Sequence, residues 1–363
     1  MRALLLWWLA LSLAGCADDD ARLFRRDFLA FGTVVEVSLY GASPARAGEA
    51  VRAVETMFLE DHHLWHAWEP GPLQALNHAI AAGRSAQVPD SIRLLLERAQ
   101  RLEASSQGLF NPAIGALLKA WKFQQDDPAA GPPPDAAARA LAAAGHPSTR
   151  QLVLDGNRVS SRNPAVQLDF GGFAKGYAIG QAMRLLRERG LRDAVVNAGG
   201  DLCVSGRHGD RPWRIGIRDP RGDGVLARIE LADGECVFTS GDYERYYEQA
   251  GRRVHHILDP RTGEPARGSR SVTVIGTDPT LADAAATALF IAGPAGWHAI
   301  ARSMGVHYVL LIDTDGTAHM NPGMRERVRF LDEPPAIKLS APLPQSAVDN
   351  RGIIGVTDEG NPA

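Results

Sequence analysis

The hydrophobic and polar positions along the chain fall into three patterns, alternating, helical and irregular. Residues 31–40, FGTVVEVSLY, alternate and are rich in β-branched side chains, which predicts a strand. Short apolar runs predict strands at 151–154 and 166–170 around a turn at Asp155-Gly156. Further runs predict strands at 194–197, 213–217, 225–231, 235–239, 271–275 and 307–312. Apolar residues at helical spacing predict helices over 45–64 (Val51, Val54, Phe58), 90–105 (Leu94, Leu95, Leu96, Ala99, Leu102) and 175–189 (Ala178, Ala182, Leu185, Leu186). Residues 281–291 form an apolar helix. The turn-rich 125–135, QDDPAAGPPPD, is an exposed insertion loop. Strands and helices mix without a strict βαβ rhythm, so an α+β fold is expected rather than a doubly wound one.

The two ends differ from the middle. Residues 1–15 have a positive Arg2 and an apolar stretch of signal-peptide length, too short to span a bilayer. The stretch closes as Leu13-Ala14-Gly15-Cys16, small residues before a cysteine, with Asp18-Asp19-Asp20 following. That pattern is similar to a lipoprotein signal, with Cys16 the lipidated residue and residues 16–27 a tether. From Asp332 onward prolines and glycines replace periodicity, so 332–363 is expected to be a solvated tail. Residues 28–331 are left as the folded domain.

The chain has 363 residues, 22% of them charged, and a net charge of −3. No basic stripe is present, which argues against nucleic acid as a partner. Beyond Cys16 only Cys203 and Cys236 remain. Two small buried hydrophobes is the favoured reading of them, although an oxidising compartment would permit a bond. No cysteine spacing suggests zinc.

Four stretches carry candidate chemistry. In VQLDFGGFAKGYAIG, from Val166, an acid and a glycine pair precede Lys175 at a helix start. Glycines admit a ligand close to the backbone, a helix N-terminus offers free N–H groups, and a lysine suits phosphate. Asp169 needs a different partner: a hydroxyl, an amide or amine, or a metal. A structural turn fits equally well. In TDPTLADAAATALFIAGP, from Thr277, Asp283 and Thr287 share a helical face as hard oxygen donors suited to Mg²⁺. Thr280-x-x-Asp283 is also a capping box, and spacing alone favours the cap. In SGDYERYYEQAGRRVHHILDPRTGEPA, from Ser240, His255 and His256 face opposite ways before an Asp-Pro turn. Either is a candidate base, and a structural histidine is the commoner case. NAGGDL, from Asn197, is a weak signal compatible with a tight turn.

Taken together and in order, FGTVVEVSL, QGLFNPAIGALLKAW, LDFGGFAKGYAIG, NAGGDL, TSGDYER, HHILDPRTGEP and ADAAATALFIAG resemble the ApbE family, the FAD:protein FMN transferases. The motifs cover nearly all of 28–330. The resemblance implies one domain of mixed, largely antiparallel sheet with packed helices. It implies an enzyme that takes FAD and Mg²⁺, joins FMN to a threonine or serine of another protein and releases AMP. Gly172 (through its carbonyl), Asp283 and Thr287 would be metal ligands. Phe31, Trp68, Leu109, Phe110, Asn111, Asp169, Lys175 and Leu258 would contact FAD, and His256 would be the base. A lipid-anchored periplasmic location is also a usual form of the family. Implied acceptors are subunits of sodium-pumping quinone reductase, Rnf-type complexes or nitrous oxide respiration components. Two other functions fit the residues: Mg²⁺-dependent FAD hydrolysis, and a non-catalytic FAD-binding lipoprotein. The chain departs from the family pattern at Phe31, commonly methionine, at Asn111, often aspartate, and at Ala286, where some members carry a second acid. The Trp68 loop aligns only with a gap.

Overall fold

Nine strands pair into one sheet in the order in which the chain lays them down. They are β1 (Leu23–Ala30), β2 (Thr33–Tyr40), β3 (Ala194–Ala198), β4 (Asp201–Ser205), β5 (Cys236–Gly241), β6 (Ser269–Gly276), β7 (Tyr308–Asp313), β8 (Ala318–Met320) and β9 (Ile337–Leu339). All the ladders are antiparallel except β8–β9. The computed structural model describes residues 23–124, 134–136, 139–140, 144–249 and 251–344. The fold is α+β.

The central strands are continuous apolar runs because both faces of the sheet are buried. One face presents Val196, Cys203, Phe238, Val274 and Leu311 to the helical layer. The other presents Val195, Leu202, Val237, Ile275 and Leu310 to a small sheet of Trp213–Arg218, Val225–Leu231 and Arg329–Phe330. The period of two thus divides one apolar run between two cores.

The helices are α1 (Pro44–Trp65), α2 (Pro72–Ala81), α3 (Asp90–Ser105), α4 (Gly115–Ala120), α5 (Ala174–Glu188), α6 (Pro279–Met304) and α7 (Pro322–Arg327). In α3, Ile92, Leu95, Leu96, Ala99 and Leu102 are buried, while Leu94, expected on that side, is exposed. Helix α6 is long and apolar enough to cross a membrane by length and composition, yet its apolar stretch is mostly buried inside the protein. It bends at Gly293-Pro294, where Gly293 has a positive φ. α5 and α6 cross at glycine. A Cβ on Gly176 would stand 2.4 Å from the Pro279 carbonyl oxygen and 2.9 Å from Asp283 Cβ. That close approach brings Asp283 onto the first turn of α5.

Several sequence expectations change. Residues 23–27, read as tether, belong to β1, and 337–339, read as tail, form β9. Each is an edge strand whose partner ladder supplies an order that local composition does not signal. The strand after the Asp155-Gly156 turn is Arg158–Ser161, not 166–170. In 166–170 the backbone is claimed elsewhere. Asn77 grips Leu168 through Leu168 N to Oδ1 (2.7 Å) and Nδ2 to Leu168 O (2.9 Å). Gln167 and Asp169 bond the 112–115 loop. Cys203 and Cys236 form a disulfide between facing positions of β4 and β5. The signal segment, Cys16 and residues 125–133 of the insertion loop lie outside the described residues.

The α1–α5 contact contains a buried acid. Asp61 accepts a hydrogen bond from Gln181 Nε2 (2.9 Å). Burial pushes its carboxyl up to about 7, against the Gln181 bond and with help from Glu60. The folded state therefore holds a proton that the unfolded chain releases near its ordinary value of 3.8. Stability present below about pH 4 is lost progressively as pH rises to about 7. Asp61→Asn keeps an acceptor for Gln181 and removes the charge. It is expected to be more stable than wild type by on the order of 2–4 kcal/mol at pH 8 and close to wild type at pH 4. Urea unfolding at both pH values checks this; a gain equal at both would refute it.

Candidate active site

The site is built where α5 begins, under the crossing with α6. Asp169 is buried and folds back on its own turn, with Oδ1 accepting from Gly171 N (2.9 Å) and Oδ2 from Gln124 Nε2 (3.2 Å). Burial raises its carboxyl, opposed by those two bonds and by Arg245 and His66. Gly172 is pressed against Phe110 and Thr287. A Cβ there would lie 3.3 Å from the Phe110 ring and 3.9 Å from Thr287 Oγ1.

Asp283 Oδ2 accepts from Gly176 N (2.8 Å), one of the unpaired amides of the first turn of α5. The Thr280–Asp283 capping box is therefore not formed. Instead Asp278 is the N-cap of α6 and accepts from Leu281 N (3.1 Å). One turn further on, Thr287 Oγ1 lies 3.3 Å from Ser240 Oγ on β5. Lys175 Nζ pairs with Asp201 Oδ2, and Asp201 Oδ1 accepts from Thr239 N (2.9 Å).

Glu244 completes a group of three carboxylates around one ammonium. Asp283 is raised well above the ordinary range by burial and then by Asp201, with Glu244 adding and Lys175 and Gly176 opposing. Burial alone would lower Lys175. Asp201, Glu244 and Asp283 outweigh it and hold the ammonium above its usual range. Glu244 keeps part of its side chain in solvent; desolvation of its carboxyl pushes it up to about 7, with Asp201 adding and Lys175 and Arg218 opposing.

The two histidines diverge as expected. His256 Nδ1 donates to the Arg245 carbonyl (3.2 Å), which leaves Nε2 as the unprotonated nitrogen, and its ring meets Phe123 edge-on. Burial, then Arg245 and His255, push it down to about 3; Lys175 adds to the same effect. It is neutral at ordinary pH, and the same burial makes it a weak base. His255 is buried against Phe290, and its Nε2 donates to Ala266 O (3.0 Å).

The remaining expected residues lie in different surroundings. Phe31, with a positive φ at the β1–β2 turn, packs against Phe58, His62 and Trp65. Trp68 meets His66, and His66 meets His62, so Phe31 and Trp68 belong to one aromatic band whose His66 bears on Asp169. Leu109 and Phe110 are core residues, with Phe110 edge-on to Phe173. Leu258 is buried with Leu117, Trp121 and Phe123. The Asn111 side chain is used within the fold, donating to Pro147 O (2.9 Å) and accepting from Ala113 N (2.9 Å). An uncharged amide suits both bonds, where an aspartate could not donate. Sequence reading gave no role to Asp201, Thr239, Ser240, Glu244, His62 or His66. The only signal for Asp201 and Glu244 is that they sit inside NAGGDL and TSGDYER.

The fold and this arrangement define a class. A family model described as the ApbE family matches residues 31–310, and the chain belongs to that family. A Rhodobacter capsulatus protein named FAD:protein FMN transferase is 44% identical over 322 residues, which cover 89% of this chain and 60% of that protein. A Treponema pallidum protein of the same name is 34% identical over 336 residues, covering 86% of this chain and 90% of its own. The crystal structure of the ApbE protein from Thermotoga maritima aligns with a TM-score of 0.77 at 31% identity, over 85% of this chain and 99% of that one.

Proposed function

We propose that this protein transfers FMN from FAD to a threonine or serine hydroxyl of a target protein, in a Mg²⁺-dependent reaction that releases AMP. The observation that carries the reading is the meeting of Asp283 and Thr287, on one face of α6, with the glycine turn that opens α5. A bond forms between the acceptor oxygen and the FMN phosphorus. The bond from that phosphorus to the bridging diphosphate oxygen breaks, and AMP leaves with that oxygen.

The residues fit a divalent ion. The buried carboxyls of Asp201 and Asp283, with Glu244 near them, outnumber Lys175, and an excess of carboxylate favours a cation. Among the described residues no three His, Cys, Asp or Glu side chains form a metal cage. Asp283, Thr287 and the Gly172 carbonyl would therefore hold Mg²⁺ together with substrate oxygens and water, the mixed hard-oxygen set this ion prefers. When bound, it neutralises charge on the diphosphate and stabilises the leaving phosphate. Lys175 supplies further positive charge. Asp169 takes a polar group of FAD, with Phe31, Trp68, Leu109, Phe110, Asn111 and Leu258 around it. His256 removes the acceptor proton.

Lipidation at Cys16, a periplasmic location and an acceptor in a quinone reductase, Rnf-type or nitrous oxide respiration complex belong to the same reading. Mass spectrometry tests the function: the protein, FAD, Mg²⁺ and a candidate acceptor subunit are mixed. An FMN-sized adduct on the subunit is expected. Free FMN and AMP without an adduct would indicate hydrolysis, and unchanged FAD a carrier. His256→Ala is expected to slow transfer about 10²–10⁴-fold while leaving FAD affinity nearly unchanged. An equal loss in affinity would place His256 in binding instead.

A further inference from the structure

We infer that Asp201 is a positioning residue, whose two carboxylate oxygens hold the Lys175 ammonium on α5 and the Thr239 amide on β5. What Lys175 then does for catalysis rests on the flavin-transfer reading above. Asn197, Gly199 and Gly200 of NAGGDL serve this placement. Asn197 Oδ1 accepts from Gly200 N (2.8 Å) and closes the turn between β3 and β4. Gly199 and Gly200 both have positive φ, and a Cβ on Gly199 would lie 2.5 Å from Thr33 Oγ1. The turn delivers Asp201, 4% exposed, at the first position of β4.

There the sheet begins to part. The β4–β5 ladder has two facing pairs, Cys203 with Cys236 and Leu202 with Val237. Beyond them Asp201 Oδ1 takes the Thr239 N–H (2.9 Å) that a ladder partner would have taken. Oδ2 faces the other way and holds Lys175 Nζ. The next residue on β5, Ser240, reaches Thr287 Oγ1. One carboxylate therefore links α5, β5 and, through Ser240, α6. It sets where the lysine stands relative to Asp283 and Thr287.

The lysine needs that restraint. Its flexible stem leaves Glu244 and Asp283 as the remaining anionic partners once Asp201 is neutralised. A Lys175–Asp283 pair would occupy the acid that the proposed cation requires. Asp201→Asn keeps an acceptor for Thr239 and loses the charge that holds the lysine. It is expected to raise the Mg²⁺ concentration for half-maximal turnover by about tenfold, an effect that simple loss of packing would not produce. In a cycle with Lys175→Gln, the double variant is expected to lose no more than about twice the larger single loss in kcat/KM. Losses that multiply would overturn the inference.

A readout independent of activity is amine acetylation of the full chain, without metal or FAD, followed by peptide mass spectrometry. Lys119 and Lys338 are exposed references. Wild-type Lys175 is expected to react about tenfold more slowly than they do, and Asp201→Asn to recover most of that difference. A wild-type Lys175 as reactive as Lys338 would overturn the inference without any variant, so a poorly folding Asp201→Asn does not shield it. A folded Asp201→Asn with unchanged Lys175 labelling would overturn it too. Absence of AMP from the wild-type chain in the turnover assay with FAD and Mg²⁺ would instead count against flavin transfer.

Discussion

Asp283→Asn is expected to cost about 10²–10³-fold in FAD turnover, some 3–4 kcal/mol of transition-state stabilisation, without loss of the fold. Asparagine has the volume of aspartate and still offers Oδ1 to the Gly176 amide, so the α5–α6 crossing keeps its bond. It also removes a buried charge that Asp201 and Glu244 oppose, so the thermal midpoint is expected to hold or rise. What is lost is the only carboxylate among the three proposed metal ligands, since position 286 is alanine. Turnover measured across a Mg²⁺ titration, alongside thermal unfolding, checks this. Full activity with wild-type Mg²⁺ dependence would remove Asp283 from the metal site and with it the main support for diphosphate cleavage.

Reduction of the Cys203–Cys236 disulfide is the second large effect. The bond closes a loop with a sequence separation of 33. Freeing a loop of that size in the unfolded state costs the fold about 3–4 kcal/mol in the chain-entropy view. The thermal midpoint is expected to fall by roughly 10 °C. The consequence is local as well as global. The disulfide occupies one of only two paired positions of the β4–β5 ladder, next to Asp201 and Thr239. A reduced protein, or Cys203→Ser with Cys236→Ser, is therefore expected to lose turnover below the temperature at which it unfolds. Melting curves and activity with and without reductant measure both; identical curves would show that the bond contributes nothing to stability.

The elements that sequence placed well are those whose pattern is local. Residues 90–105 show a helical apolar repeat and are α3 to the residue. Residues 194–197 and 225–231 are apolar or alternating runs that the structure pairs as strands, the first running one residue longer. Where a segment's partner is distant, local reading failed. Residues 166–170 have a strand's composition, but Asn77 and the 112–115 loop take their hydrogen bonds. Residues 337–339 look like tail and are ordered by β8. The Thr280–Asp283 box was a sound local choice, but the α5–α6 crossing supplied Asp283 with Gly176 instead.

The sequence by itself determined the α+β class, most of the strands and long helices, and, by resemblance, the family. Those follow from period, from composition and from motifs read along the chain. Only the tertiary structure decided that the cysteines pair, that Asp201 and Glu244 stand beside Lys175, and that the Asn111 amide is used within the fold. The reason is distance along the chain. Lys175 and Asp201 are 26 residues apart, and Gly176 and Asp283 are 107 apart. Contacts at such separations depend on which strands pair and which helices cross, and no local pattern encodes that.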